Sequence, residues 1–194
     1  MTDGEEQEPE VWLVRHGETE WSKSGQHTGV TDLPLTEAGV KEGRALAGLL
    51  SGVTFDLVLC SPKARARKTA ELAEVTGVRI EDELVEWNYG DYEGRTRKDI
   101  QSERPGWSLW TDGAPGGESP EVISARVDRV IATCRGHGGR TLLLAHGHVL
   151  RGLAARWIDQ PIDVGRHLPL DTATLSVLGY DRGTPTIERW NSAG

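Results

Sequence analysis

Short, continuously apolar runs separated by helix-patterned segments constrain this chain more than any other feature. The runs fall at Val11 to Val14, Phe55 to Cys60, Val78 to Ile80, Thr141 to Ala145, Leu175 to Leu178 and Thr186 to Trp190. Strands that are apolar at successive positions are buried on both faces, and their alternation with helices predicts an α/β fold whose central sheet is mostly parallel and covered on both sides. With 194 residues, the chain is long enough for one sizeable core and short for two. A single domain over residues 11–194 is therefore expected.

The helices can be placed from their stops and starts. Thr36 is a fitting N-cap for a helix to Leu50, with Val40, Gly43, Leu46, Ala47 and Leu50 on one face. In "SPKARARKTAELA", Ser61 is read as a cap with Pro62 in the first turn, and Ala66, Ala70 and Ala73 as the packing stripe. A third helix is expected from Ser119 to Cys134, with Val122, Val127, Val130 and Ile131 inward. The last starts at His148 and carries Leu150, Leu153, Ala154 and Trp157. Between them, Trp87 to Gly117 is aperiodic and reads as a binding loop or lid, with Trp107 and Trp110 as packing groups that can also close it.

Charge sets limits on partners. The formal net charge is −8, but residues 1–10 hold Asp3, Glu5, Glu6, Glu8 and Glu10 and no basic residue, so the body is nearly balanced. This stretch is read as a disordered acidic leader. No basic stripe with interleaved aromatics points to nucleic acid. The sequence shows neither a secretory signal pattern nor an apolar run of bilayer length, so no membrane partner and a cytoplasmic protein are expected. The two cysteines, Cys60 and Cys134, have no zinc-like spacing and read as buried thiols. The assembly is left open, a homodimer included.

In a parallel α/β sheet, ligands bind where strands end and helices begin. Three such ends carry basic groups here: Arg15, His16 and Gly17 in "LVRHGETEW", Ser61 leading to Arg65, and His146, Gly147 and His148 in "LLLAHGHVLRG". Guanidinium forks and helix N-termini converging on one edge suit a phosphoryl group. Read singly, each motif is weak. His146 and His148 could be turn residues or metal ligands, Glu86 a solvated acid, and Arg151 half of a salt bridge.

Taken together and in order, "RHGETEW", "SPKARARKTA", "VEWNYGDYEG" and "LLLAHGHVLRG" resemble the histidine phosphatase superfamily, also called phosphoglycerate mutase-like, over about Val11 to Trp157. "WSKSGQHTGVTDLPLT" and "DGAPGGES" add similarity to the branch with fungal sedoheptulose-1,7-bisphosphatase and small bacterial acid phosphatases. The resemblance implies a three-layer α/β/α sandwich and a phosphatase that needs no metal and no cofactor. It makes His16 the nucleophile, Arg15, Arg65 and His146 the holders of the phosphoryl oxygens, and Glu86 the proton donor. His27, Thr28, Tyr89 and Arg151 become substrate contacts. The implied substrate is a small phosphate ester, a sugar phosphate above all.

Chemistry agrees with those roles. An uncharged imidazole can attack phosphorus, fixed guanidiniums spread the developing charge, and the leaving alkoxide needs a proton. Glu86 can supply one if burial by Trp87 and Tyr89 raises its pKa, which predicts activity on the acidic side of neutrality. Three alternatives stay open: a mutase using the same phosphohistidine, a metal-dependent hydrolase built on His146 and His148, and a non-catalytic phospho-ligand module. The "EWNYG" segment departs from the "ERHYG" of the mutases, and His27 stands where tyrosine is common in the bisphosphatase. Lys23, Arg95, Arg97 and Lys98 are the candidate cations for a second phosphate.

Overall fold

The computed structural model describes residues 8–193. Residues 1–7 of the expected acidic leader lie outside the described residues, and Glu10 already belongs to the first strand, where it pairs with Arg140 at 2.9 Å. The strands are β1 (Glu10–Arg15), β2 (Leu57–Cys60), β3 (Arg79–Ile80), β4 (Arg140–Ala145), β5 (Leu175–Asp181) and β6 (Thr184–Ser192). The helices are α1 (Glu20–Ser24), α2 (Glu37–Leu50), α3 (Ala64–Leu72), α4 (Arg97–Glu103), α5 (Leu109–Asp112), α6 (Pro120–His137) and α7 (Gly147–Trp157). Among the described residues no helix is long and apolar enough to cross a membrane.

The strands form one sheet in the order β3-β2-β4-β1-β5-β6. β3, β2, β4 and β1 run parallel, and β5 and β6 close the sheet with antiparallel pairings. Alternation along β1 divides the interior in two: Val11 and Leu13 join the core under α6 and α7, and Val14 joins the core under α2 and α3. The result is the expected three-layer α/β/α sandwich with a mixed, mostly parallel sheet. Because β2, β4 and β1 are neighbours, their carboxyl ends open on one edge.

Several local expectations change. Thr36 caps α2 through Gly39 N–H as read from the sequence, but Ser61 does not cap α3. Its hydroxyl meets His146 Nε2 at 2.7 Å, and the helix starts two residues after Pro62, with Asp32 accepting from Ala64 N–H at 2.9 Å. On α6, Val122 is exposed and Ile123 is buried in its place; the inward face is shifted by one residue at the first turn. The short α1 has no buried residue and so no apolar period to betray it. The Trp87 to Gly117 segment is a packed wall holding α4 and α5, with Trp87, Trp107 and Trp110 buried.

Candidate active site

The edge formed by β1, β4 and the Trp87 to Gly117 segment bounds a cavity of about 540 Å³. Of the residues singled out from the sequence, Arg15, His16, His27, Thr28, Glu86, Tyr89 and Arg151 line it. Arg65 and His146 do not reach its wall; they sit directly behind His16.

His16 leaves β1 and is 5% exposed. Its Nδ1 lies 2.8 Å from the carbonyl oxygen of Gly17, which can only accept, so the neutral ring carries its proton on Nδ1 and leaves a lone pair on Nε2. Burial, helped by the Arg15 and Arg65 charges, holds this imidazole well below the usual histidine pKa. It is therefore uncharged at neutral pH.

Behind it, the His146 ring stands edge-on to His16, with centroids 5.1 Å apart. Nδ1 of His146 accepts from Arg65 Nε–H at 3.1 Å, which puts the His146 proton on Nε2, where it donates to Ser61. Burial first, then the Arg65 charge, holds His146 well below its ordinary pKa as well. Arg65 is fully buried and spends its remaining donors on the 28–32 loop, giving Nη1 to Thr31 O at 2.9 Å and Nη2 to Thr28 O at 3.0 Å. In the unliganded chain Arg65 thus links the His146 ring to carbonyls of the 28–32 loop.

Arg15 keeps a donor in hand. Its Nη1 donates to Leu170 O, while its buried Nε finds no acceptor among the described residues. A buried guanidinium N–H of this kind at a cavity wall is fitted to an incoming oxygen anion.

Glu86 is 6% exposed, and both carboxylate oxygens accept backbone N–H groups. Oε1 accepts from Trp87 at 2.9 Å and Val149 at 2.8 Å, and Oε2 from His148 at 2.9 Å. The carboxylate therefore occupies the N-terminus of α7, which the sequence reading had assigned to a phosphoryl group. Trp87 meets Glu86 through its main chain, and its indole N–H turns to Glu118 O.

The outer wall is aromatic and cationic. Tyr89 O–H and His148 Nδ1 share a hydrogen bond of 2.7 Å, and His27 Nδ1 donates to Arg95 O at 2.7 Å while its ring packs on Tyr89. Burial pushes Tyr89 well above the usual phenol range, so it stays protonated. Arg151 lies over the Trp110 ring and donates to Gly165 O at 3.0 Å. Among the cations considered for a second phosphate, Arg97 lines the cavity. Lys23 lies 4.0 Å from Glu18, and Arg95 pairs with Glu103.

His146 and His148 diverge, one toward Ser61 and the other toward Tyr89. Among the described residues no group of three or more His, Cys, Asp or Glu is placed to hold a metal ion.

Comparison with known proteins fits this geometry. A family model described as histidine phosphatase superfamily (branch 1) matches residues 11–193. The chain belongs to the histidine phosphatase superfamily. It is 37% identical over 175 residues to an acid phosphatase of Mycobacterium tuberculosis, covering 88% of this chain and 86% of that one. It is 38% identical over 186 residues to the sedoheptulose 1,7-bisphosphatase of Saccharomyces cerevisiae, covering 77% and 67%. A solved structure of an open reading frame product from Mycobacterium tuberculosis superposes with a TM-score of 0.92 at 34% identity, covering 95% of this chain and 98% of that chain.

Sequence reasoning missed several members of the wall in this histidine phosphatase. Arg166 and His167 reach the cavity from a 3-10 segment, Ile162–His167, in which no periodic pattern or motif marks them. Ser61 was noticed for the wrong task. His148 was weighed as a turn or metal residue and is a lining residue paired with Tyr89.

Proposed function

We propose that this histidine phosphatase hydrolyses small phosphorylated metabolites, sugar phosphates in particular, through a phosphohistidine formed on His16 without a metal. The observation that carries the reading is the bare, uncharged Nε2 of a buried His16 at a cavity wall it shares with Arg15. A volume of about 540 Å³ lies in the range of small-molecule sites and favours a metabolite over nucleic acid or a membrane surface. A cytoplasmic location goes with such a substrate and with two cysteines that are buried and free.

In the first step His16 Nε2 attacks phosphorus, a P–N bond forms and the ester P–O bond breaks. Glu86 passes a proton to the departing oxygen. In the second step Glu86 takes a proton from water, whose oxygen attacks phosphorus as the P–N bond breaks and returns neutral His16. Arg15, Arg65 and His146 hold the phosphoryl oxygens and spread their charge throughout. Tyr89, His27, Thr28 and Arg151 contact the rest of the ester.

The test is acid-quench labelling with a phosphate-labelled sugar phosphate, with and without chelator. We expect an acid-labile label on the protein, phosphate release unaffected by chelator, and loss of both label and at least ~10³-fold of turnover in His16→Ala. Wild-type-like turnover in that variant would reject the assignment.

A further inference from the structure

Glu86 lies in a stretch without regular structure, between the 3-10 turn Asp82–Leu84 and the 3-10 turn Gly90–Tyr92. No helix or sheet ladder fixes its main chain, yet its carboxylate meets three N–H groups at once. Something else must hold the segment.

That role falls to a buried ion pair one layer below. Arg126, on α6, turns its guanidinium under the segment and away from the cavity. Nη1 donates to the carbonyls of Glu83 and Val85, and Nη2 donates to Glu86 O at 3.4 Å. Nε and Nη2 grip the two carboxylate oxygens of Glu118, each at 2.9 Å. Glu118 in turn accepts Asn88 N–H on Oε2 at 2.8 Å and the Trp87 indole N–H on its carbonyl at 2.9 Å. One fork and one carboxylate thus pin the chain on both sides of Glu86. Neither residue lines the cavity.

A buried pair of this kind is weak evidence for stability, since apolar replacements are often no worse. Its geometry has a more specific meaning, because the carbonyls that Arg126 gathers are those of Val85 and Glu86 and that of Glu83 in the turn leading into them. We propose that the Arg126–Glu118 pair is a positioning device that sets the Glu86 carboxylate against the leaving group. The proposal rests on the reading of Glu86 as the proton donor.

The test uses the full chain with Arg126→Lys and Glu118→Gln on two probe esters. Nitrophenyl phosphate releases a stable phenolate and needs little proton help, whereas glycerol phosphate releases an alkoxide that needs it. A misplaced donor lowers kcat/KM, which reports the steps up to loss of the leaving group, by about 10- to 100-fold on glycerol phosphate and by less than about threefold on nitrophenyl phosphate. Adding either change to Glu86→Gln then brings no further loss on glycerol phosphate, because with the donor gone its position no longer matters. Equal losses on the two esters, no loss on either, or losses additive with Glu86→Gln would overturn the proposal while leaving the phosphatase reading intact. Wild-type protein that turns over neither ester overturns the phosphatase reading and the proposal with it. Should Arg126→Lys fail to fold by circular dichroism, Glu118→Gln, which keeps the side-chain shape, carries the comparison.

Discussion

His16 and Arg65 both meet the His146 ring: Arg65 Nε donates to His146 Nδ1 at 3.1 Å, and the His146 ring meets His16 edge-on. Buried His16 thus lies near the Arg15 and Arg65 guanidiniums, whose charges resist its protonation. Burial remains the larger cause of its depressed pKa, with Arg15 and Arg65 adding to it.

Turnover should therefore persist in mild acid. A free imidazole loses its lone pair as pH falls through about 6.5, but His16 keeps its own until pH falls through its lower value. We expect kcat/KM, followed from about pH 8 to about pH 4, to hold through pH 6.5 and fall only below it. A half-loss at the ordinary histidine pKa would contradict a buried, neutral nucleophile.

Fold stability should move the other way from what acid-tolerant activity suggests. His16, His27, His146 and His148 all have folded pKa values held below the usual range, with burial the leading cause each time. Above about pH 6.5 both folded and unfolded states are neutral at these sites, and the stability is fully present. As pH falls through that value the unfolded chain binds protons the folded one refuses, and stability drops by up to about 1.4 kcal/mol per pH unit for each histidine until the folded values are reached. Urea midpoints at several pH values between neutral and mildly acidic give the slope. A flat profile would mean that these rings are charged in the folded state.

Gly39→Ala should damage both fold and site. A Cβ at Gly39 would come within 2.2 Å of Glu18 O, and one at Gly17 within 2.5 Å of Gly39 O, so α2 rests directly on the strand exit that carries His16. Backbone cannot give way cheaply, and we expect a loss of roughly 1–3 kcal/mol with reduced turnover. Gly48, on the exposed side of the same helix with no atom within 4 Å, is the control. There, alanine should stabilise by about 0.5–1 kcal/mol. Melting curves of the two variants shifting in the same direction would refute this account.

What the sequence disclosed and what it hid follow one physical division. The inner strands β2, β4 and β5 were readable because burial on both faces removes polar positions, and the residues at the ends of β1 and β4 could be placed from their apolar runs; β3 and β6, exposed or half-buried, were marked only by short apolar and β-branched stretches. Features decided by distant partners were hidden. Ser61 reads as a cap locally, yet its hydroxyl goes to His146 and Asp32 serves the helix instead. Arg65 was found, but its direction depends on carbonyls of the 28–32 loop. Arg126 falls on the inward stripe of α6 with Ile123, Val127 and Val130, but what it holds there was hidden because its carbonyl partners come from an aperiodic segment. Val122 and Ile123 show that neighbouring apolar residues at a helix start do not fix which one turns inward.

The central place of β1 bears on how the chain reaches its working form. β1, the earliest of the described strands in the chain, lies between β4 and β5, and Ala173 N–H closes onto the carbonyls of Arg15 and His16 at 3.0 and 3.2 Å. A nascent polypeptide thus exposes His16 long before the partners that will shelter it have left the ribosome. Such long-range pairing is slow. Catalytic competence should consequently arrive late and all together, and a chain cut short before β5 would carry His16 at the end of a strand whose β5-facing edge is unpaired, without an enclosed centre around it.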